Sequence, residues 1–196
     1  MQLYDMTLSG NCYKIRLLLA LLDIAHERIP VDLRAGEART PRMLALNPRG
    51  QLPILVDGDD VIWDSQAILV YLARRYGGEQ WLPTDAAGMA QVMQWLAVAE
   101  NELLYGLARA RRMLRMNGSG DLAEAQAWGR EALAVMDAHL TQRDWLAAGH
   151  PTIADLACYP YVSLAPEGDV TLETYPAVMQ WMARIEALPG YVAFDA

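Results

Sequence analysis

The stretch that decides the fold is Asn47-Pro48-Arg49-Gly50-Gln51-Leu52-Pro53-Ile54-Leu55, which Trp63-Asp64-Ser65-Gln66-Ala67-Ile68 follows closely. Two short apolar runs flank Asp57-Gly58, a residue pair typical of a tight β-hairpin turn. Proline cannot donate a hydrogen bond to a sheet, so Pro53 marks the entry to the first hairpin strand. The stretch therefore predicts a turn, a Leu-Pro step, a hairpin and a helix start, in that order.

The Leu-Pro step also predicts a binding edge. If the bond before Pro53 is cis, the backbone groups of Leu52 face outward and can pair with a peptide-like ligand as an extra strand. Asp64 and Ser65 would then lie beside this edge at a helix N-terminus, where amide donors and the helix dipole favour a carboxylate. We therefore expect a ligand with a backbone, an ammonium and a carboxylate, and glutathione has all three.

Composition limits the class of protein. The 196 residues are 54% hydrophobic, enough to bury the core of one large or two small domains. The net charge of −8 argues against a nucleic-acid surface, and no apolar run approaches the roughly 20 residues that span a bilayer. No secretion signal is visible. Two cysteines, Cys12 and Cys158, make no disulfide framework and indicate a reducing cytoplasm, and the scattered histidines predict no metal site.

Periodicity and turn signals divide the chain into two regions. The first is predicted to contain a strand over residues 3–8, a helix over 11–24, a strand over 26–33, a short helix from Thr40-Pro41, the hairpin, and a helix over 65–76. The second is predicted to be all-helical, with helices over residues 86–116, 122–140, 152–165 and 176–188. Between them, Gly77-Gly78 and Pro83 mark a boundary. We therefore predict domains over residues 1–78 and 87–196, joined by a linker over 79–86.

Four short motifs follow one another along the chain. They are Ser9-Gly10-Asn11-Cys12-Tyr13-Lys14, the run from Asn47 to Pro53, Asp64-Ser65, and Thr152-Ile153-Ala154-Asp155. Together they resemble the cytosolic glutathione S-transferase family over nearly the whole chain, and the pattern is similar to bacterial serine-type, theta-like or nu-like forms. The resemblance implies a thioredoxin-like βαβαββα domain followed by an all-α bundle, in a cytoplasmic homodimer. The last motif is similar to a capping box and is assigned to folding.

Glutathione chemistry needs an ionised thiol, because the thiolate is the nucleophile. Lowering a thiol pKa from about 8.5 by two units requires roughly 2.7 kcal/mol, which a charge-assisted hydrogen bond and a helix N-terminus can supply. The resemblance places this donor in the loop before the first helix, with Ser9 as first choice and the amide of Asn11 as second. The alternative for Ser9 is a helix cap. Cys12 competes as a reactive thiol of the kind found in beta-class relatives, with a packed apolar residue as its alternative.

The resemblance also implies the residues that hold substrates. Those for glutathione are Arg39, Gln51, Leu52, Pro53, Asp64 and Ser65, although Ala38 stands near where relatives often have a histidine. Those for the second substrate are Tyr105, Arg109 and Met113, which core packing would also explain. The implied reaction is attack of the glutathione thiolate on a small hydrophobic electrophile. Two alternatives stay open: glutathione-dependent disulfide or peroxide reduction, and a non-catalytic interaction module of the same fold.

Overall fold

The first of two compact units contains a four-stranded mixed sheet. The structure, a computed structural model, describes residues 1–194. The strands of this sheet are β1 (Gln2–Asp5), β2 (Glu27–Pro30), β3 (Ile54–Asp57) and β4 (Asp60–Trp63), in the spatial order β2-β1-β3-β4. β1 runs parallel to β2 and antiparallel to β3, and β3 pairs with β4 through the predicted hairpin. Gly58 has φ +63° at the first central position of the turn, a conformation that glycine adopts without strain.

Three α-helices and a shorter helical turn accompany this sheet. They are α1 (Gly10–Leu21), a 3-10 turn (Glu37–Arg39), α2 (Pro41–Leu46) and α3 (Ser65–Leu72), which continues as a π-helical turn (Ala73–Gly77). Thr40 caps α2 as predicted, accepting a hydrogen bond from the amide of Met43. The element order confirms the predicted thioredoxin-like unit. A core cluster under the sheet includes Tyr4 and Ile54, which are also paired across β1 and β3.

The second strand is shorter than predicted. It ends at Pro30, because the Asp32 carboxylate accepts hydrogen bonds from the amides of Arg34 (2.8 Å) and Ala35 (3.1 Å) and turns the chain. Leu33, predicted to be the last residue of this strand, lies outside it and is exposed.

The second unit spans Glu79–Leu188 and is helical, as predicted. Its helices are α4 (Ala86–Val98), a π-helical stretch (Ala99–Ala108), α5 (Arg109–Arg115), α6 (Leu122–Leu140), α7 (Ile153–Ser163), a 3-10 turn (Ala165–Gly168) and α8 (Pro176–Glu186). The single helix predicted over residues 86–116 is therefore three consecutive helical stretches, of which the middle one has wider turns. No helix within residues 1–194 combines the length and apolar content that a membrane-spanning segment needs.

A buried carboxylate organises the second unit. Asp155 forms the predicted capping box with Thr152 at the start of α7. Its Oδ1 atom also accepts hydrogen bonds from the amide of Leu146 and from the indole of Trp181, both at 2.9 Å. Burial raises the pKa of Asp155, although each of these donors lowers it. One fully buried side chain thus ties together a helix start, a loop and α8.

The C-terminal segment corrects the predicted domain limits. From Pro189 onward the chain belongs to the first unit, although the sequence placed residues 87–196 in the helical domain; residues 195 and 196 lie outside the described part. The hydroxyl of Tyr13 in α1 donates to the carbonyl of Val192 at 2.8 Å, and its ring meets that of Phe194 edge-on at 5.3 Å. The segment is held there because it buries apolar and carbonyl groups against α1.

Candidate active site

Ser9 caps the helix that follows the first strand. Its Oγ atom accepts a hydrogen bond from the amide of Cys12 at 3.2 Å, and its own amide donates to the carbonyl of Met6 at 2.9 Å. Capping uses a lone pair of the hydroxyl oxygen and leaves its proton available for donation. The cap and the thiolate donor, which the sequence treated as alternatives, are therefore compatible roles of one side chain.

Asn11 and Ser65 connect the starts of two helices. The hydroxyl of Ser65, at the first position of α3, donates to Oδ1 of Asn11, in the first turn of α1, at 3.2 Å. Ser65 is only 4% exposed. The structure thus brings together a predicted thiolate donor and a predicted glutathione-binding residue that stand 54 positions apart.

Cys12 does not fit the reactive thiol that the sequence proposed. Its side chain is fully buried under α1, and burial raises the pKa of the thiol to about 12, with the charge of Asp5 as the second cause. The hydrogen bond with Ser9 lowers the pKa but does not offset burial. A thiol with such a pKa is protonated at neutral pH and inert. This corrects the assignment of Cys12 as catalytic: it is a small apolar residue packed beneath the helix.

The Leu52–Pro53 peptide bond is cis, as the sequence argument required. The pairing of β3 with β1 begins at Ile54, so Leu52 lies just beyond the end of the ladder. Neither backbone group of Leu52 has a hydrogen-bond partner within residues 1–194, whereas its side chain packs against the core cluster. Leu52 is therefore anchored by its side chain and presents a free strand edge.

Asp64 caps α3 in an unusual backbone conformation. Its φ of 77° and ψ of 126° are strained for a residue with a side chain. Oδ1 accepts hydrogen bonds from the amides of Gln66 (3.0 Å) and Ala67 (3.5 Å), and Oδ2 pairs with Arg49 at 3.2 Å. Strain of this kind costs about 1–3 kcal/mol and clusters at functional sites. Asp64 is therefore a cap, and it keeps one oxygen at a half-exposed, charged position.

The sequence reasoning gave no role to Arg49 and Asn47. Arg49 pairs with Asp64 and lies 6.0 Å from the ring centre of Trp63. Asn47 is 2% exposed, and its amide nitrogen donates to the carbonyl of Gln51 at 2.8 Å while its oxygen accepts from the amide of Arg49 at 3.0 Å. The Asn-Pro-Arg-Gly turn was the available signal, because asparagine commonly bonds to the backbone two residues on.

Arg39 and Gln51 meet at the same loop. Both are exposed, and the stem of Arg39 lies against Gly50, where an added Cβ would stand 3.3 Å from Arg39 Cγ. Gly50 also has φ +61°, which a side chain would strain. The stem of Arg39 thus lies beside the residue that precedes Gln51, and a guanidinium and an amide are side chains that can bind a carboxylate.

The residues predicted for the second substrate fall in two places of the helical unit. Arg109 pairs with Glu124 at 3.0 Å, and Arg109 and Met113 both pack against Gly120. Tyr105, which is half exposed, lines a cavity to which neither Arg109 nor Met113 contributes.

Comparison with known proteins identifies the family of this chain. The patterns described as "Glutathione S-transferase, N-terminal domain" and "Glutathione S-transferase, C-terminal domain" match residues 3–80 and 113–189. Glutathione S-transferase 3 of Zea mays is 34% identical over 97% of this chain and 91% of its own length. The chain belongs to the glutathione S-transferase family. It is an enzyme of that class, as further relatives from rice and Arabidopsis thaliana also support.

Solved structures agree with the family and the fold. A glutathione S-transferase from Pseudomonas fluorescens [Pf-5] is 34% identical and has a TM-score of 0.93, covering 98% of both chains. A glutathione transferase from Phanerochaete chrysosporium, solved in complex with oxidized glutathione, has a TM-score of 0.88 at 23% identity and covers 96% of this chain and 91% of that one. At this lower identity the likeness concerns the glutathione transferase fold alone.

Proposed function

We propose that this transferase binds glutathione on the first unit, where Ser9 stabilises its thiolate for attack on a small hydrophobic electrophile. The observation that carries the proposal is the hydrogen bonding of Ser9, whose oxygen accepts from the Cys12 amide and caps α1, a role that does not use the hydroxyl proton. A hydrogen bond to a charged group contributes about 1.5–3 kcal/mol, which corresponds to about one to two pKa units. The start of α1 adds a favourable dipole for negative charge. Together these effects bring a thiol pKa of about 8.5 close to neutrality.

The remaining groups of glutathione have complementary partners on the same unit. The open edge of Leu52 suits the cysteinyl backbone of the tripeptide, with Pro53 fixing the course of the chain before β3. The amides at the start of α3, with the Ser65 hydroxyl, suit the γ-glutamyl carboxylate, and Asp64 suits its ammonium. Arg39 and Gln51 suit the glycine carboxylate. The fold likeness to a transferase solved with oxidized glutathione supports glutathione as the ligand, and the individual contacts are proposed from the side chains above.

Asn11 is proposed to act through Ser65 as well as beside the sulfur. Its oxygen accepts the Ser65 proton, so binding of a carboxylate at Ser65 must compete with this hydrogen bond. The amide nitrogen of Asn11 is the donor that could assist Ser9. Asn11 is therefore proposed as the second residue that lowers the pKa of the glutathione thiol.

The electrophile, the assembly and the location are also part of the proposal. Tyr105, Arg109 and Met113 remain the residues predicted for the second substrate, in a cytoplasmic homodimer. Each unit exposes apolar side chains that a partner copy could cover, including Trp63 in β4 and Met93 in α4. The reductase alternative is not favoured because Cys12 is buried, and the family members that match this chain are transferases.

Replacing Ser9 tests the proposal directly. We expect Ser9→Ala to raise the thiol pKa of bound glutathione by about one to two units and to lower kcat/KM near neutral pH by about tenfold to a hundredfold. The thiolate is measured by ultraviolet difference titration of the complex, and turnover with 1-chloro-2,4-dinitrobenzene. Because Ser9→Ala also removes a helix cap, Ser9→Thr restores both cap and donor, whereas Ser9→Asp keeps the cap without a donor.

The two controls separate chemistry from folding. Ser9→Thr should retain the low thiol pKa and Ser9→Asp should lose it. A thiol pKa that Ser9→Ala leaves unchanged would remove the serine from the mechanism, and the same titration of Asn11→Ala would then decide whether the amide replaces it. Calorimetric titration of the wild-type enzyme with millimolar glutathione, if it gave no heat, would contradict binding itself.

A further inference from the structure

The C-terminal segment, which begins at Pro189, lies along α1 in the first unit. It touches the last turn of this helix, where a Cβ atom on Gly190 would stand 3.0 Å from the carbonyl oxygen of Ala20. Gly190 also has φ +88°, a backbone conformation that a residue with a side chain adopts only with strain. A glycine at this position therefore lets the segment pass directly against the end of the helix.

Two buried side chains in the first half of α1 hold the segment. The hydroxyl of Tyr13 donates to the carbonyl of Val192 at 2.8 Å. A terminal nitrogen of Arg16 donates to the carbonyl of Phe194, also at 2.8 Å. Tyr13 is 1% and Arg16 is 4% exposed. Because a buried donor that loses its acceptor is costly, the two carbonyls of the segment stabilise the positions of both side chains.

The same two side chains also reach the loop between β1 and α1, the Ser9 loop. The backbone amide of Tyr13 donates to the carbonyl of Ser9 at 2.9 Å, as the first hydrogen bond of the helix. The nitrogen of Arg16 that binds the segment donates to the carbonyl of Thr7 at 3.1 Å as well. Thr7 and Leu8 are exposed, so burial contributes little to fixing the tip of this loop. Tyr13 and Arg16 therefore connect the C-terminal segment to the loop that carries Ser9.

We propose that the C-terminal segment is a positioning element of the Ser9 loop: through Tyr13 and Arg16 it holds Ser9 where its hydroxyl donates to the glutathione sulfur. This inference rests on the proposed function of Ser9. Without the segment, the Tyr13 hydroxyl and one nitrogen of Arg16 each lose an acceptor next to the loop, and the start of α1 shifts or takes up water in response. Hydrogen bonds weaken steeply when they are misaligned, and a displacement of about 1 Å can lower a rate by about a hundredfold.

A positioning role changes different quantities from a purely structural one. The thiol pKa of bound glutathione should rise, because a misplaced Ser9 hydroxyl stabilises the thiolate less well. The rate should therefore fall near neutral pH and recover towards pH 9, where the thiol ionises without this help. Leu52, Asp64 and Gln51, which are proposed to bind the rest of glutathione, lie on other elements, so KM for glutathione should change little.

The test compares the full chain with a chain that ends at Leu188. Ultraviolet difference titration gives the thiol pKa of bound glutathione, and turnover of 1-chloro-2,4-dinitrobenzene gives kcat and KM. We expect the shortened chain to raise the thiol pKa by about one unit and to lower kcat about tenfold at pH 6.5, but less than about threefold at pH 9. KM for glutathione should stay within about twofold of the wild type. Tyr13→Phe, which loses only the hydroxyl, should raise the thiol pKa by about half a unit, and it decides the question if the shortened chain does not fold.

Two further variants serve as controls. Tyr159→Phe is matched to Tyr13→Phe, because it removes the hydroxyl of another buried tyrosine, which donates to Glu186 at 2.9 Å in the helical unit. Its thiol pKa and kcat should equal those of the wild type. Shortening the chain in the Ser9→Ala background should raise the thiol pKa little further, because the segment acts through the Ser9 hydroxyl.

The proposal is overturned if the shortened chain keeps the wild-type thiol pKa, if its kcat falls equally at both pH values, or if Tyr159→Phe reproduces the change. An equal rise of the thiol pKa on shortening, with and without Ser9→Ala, would exclude an action through Ser9. A failure of the proposed function gives a different result, since Ser9→Ala alone would then leave the thiol pKa unchanged.

Discussion

Arg16 supports the loop that carries Ser9. It is 4% exposed and pairs with the 3% exposed carboxylate of Asp5 at 2.8 Å. Its second terminal nitrogen donates to the carbonyls of Thr7 (3.1 Å) and Phe194 (2.8 Å). One guanidinium thus fastens the end of β1, the loop before α1 and the C-terminal segment. We expect Arg16→Met to destabilise the fold and to misplace the loop.

The size of this destabilisation follows from the burial of Arg16, and Arg28, the other partner of Asp5, provides a comparison. Removing one partner of a buried ion pair costs about 3–5 kcal/mol, and the low end applies here because Arg28 still pairs with Asp5 at 2.9 Å. Arg28 is 36% exposed, so Arg28→Met should cost only about 1 kcal/mol. The two variants should therefore differ by roughly 2 kcal/mol, or about 4–8 °C in midpoint temperature for a chain of this size.

Urea denaturation followed by circular dichroism measures the difference, and kcat/KM with glutathione measures the position of the loop. Arg16→Lys keeps the charge but not the fork of donors, so it should recover part of the stability and little of the activity. If Arg16→Met is no less stable than Arg28→Met, the buried contacts of the Arg16 guanidinium do not stabilise the fold and this explanation is wrong.

Three further predictions concern buried groups. Burial raises the pKa of Cys12 from 9.0 to about 12, so its contribution to stability is intact below pH 9 and falls as the pH rises towards 12. At pH 10 the free energy of unfolding, measured by urea denaturation, should be lower by roughly 1.4 kcal/mol. If Cys12→Ala showed an equal loss at pH 10, ionisation of Cys12 would not be its cause. Asp155→Asn should cost about 2–4 kcal/mol, since an amide nitrogen would face the Thr152 amide that now donates to Oδ2 at 2.9 Å, and an unchanged urea midpoint would exclude this account. Ending the chain at Leu188 should speed hydrogen exchange in α1, because Tyr13 loses its bond to Val192; unaltered exchange would show that the segment is dispensable.

The sequence predicted the elements whose signals are local. The Asp57-Gly58 hairpin, the Thr40 cap and the capping box at Thr152 all depend on residues within a few positions of one another, and all three are present. What it could not predict depends on residues that are far apart in the chain. Arg16 donates a hydrogen bond to the carbonyl of Phe194, 178 positions away in the chain, and no sequence periodicity predicts such a contact. The inertness of Cys12 is of the same kind, because a cysteine in a first helical turn is reactive only when that side of the helix is open to solvent.

The candidate site also shows why capping residues suit ligand binding. A cap must hold a polar side chain against the first amides of a helix, and this fixes its rotamer before any ligand arrives. The Ser9 oxygen accepts a hydrogen bond from the Cys12 amide through one lone pair, which does not use the hydroxyl proton. Asp64 caps α3 with Oδ1, and its Oδ2 pairs with Arg49. In each side chain, one atom caps a helix, and a second atom is held where it can interact with a charged group. Such preorganised groups reorient little when a thiolate or an ammonium binds. Capping and ligand binding are therefore compatible at these positions, and a sequence argument does not have to choose between them.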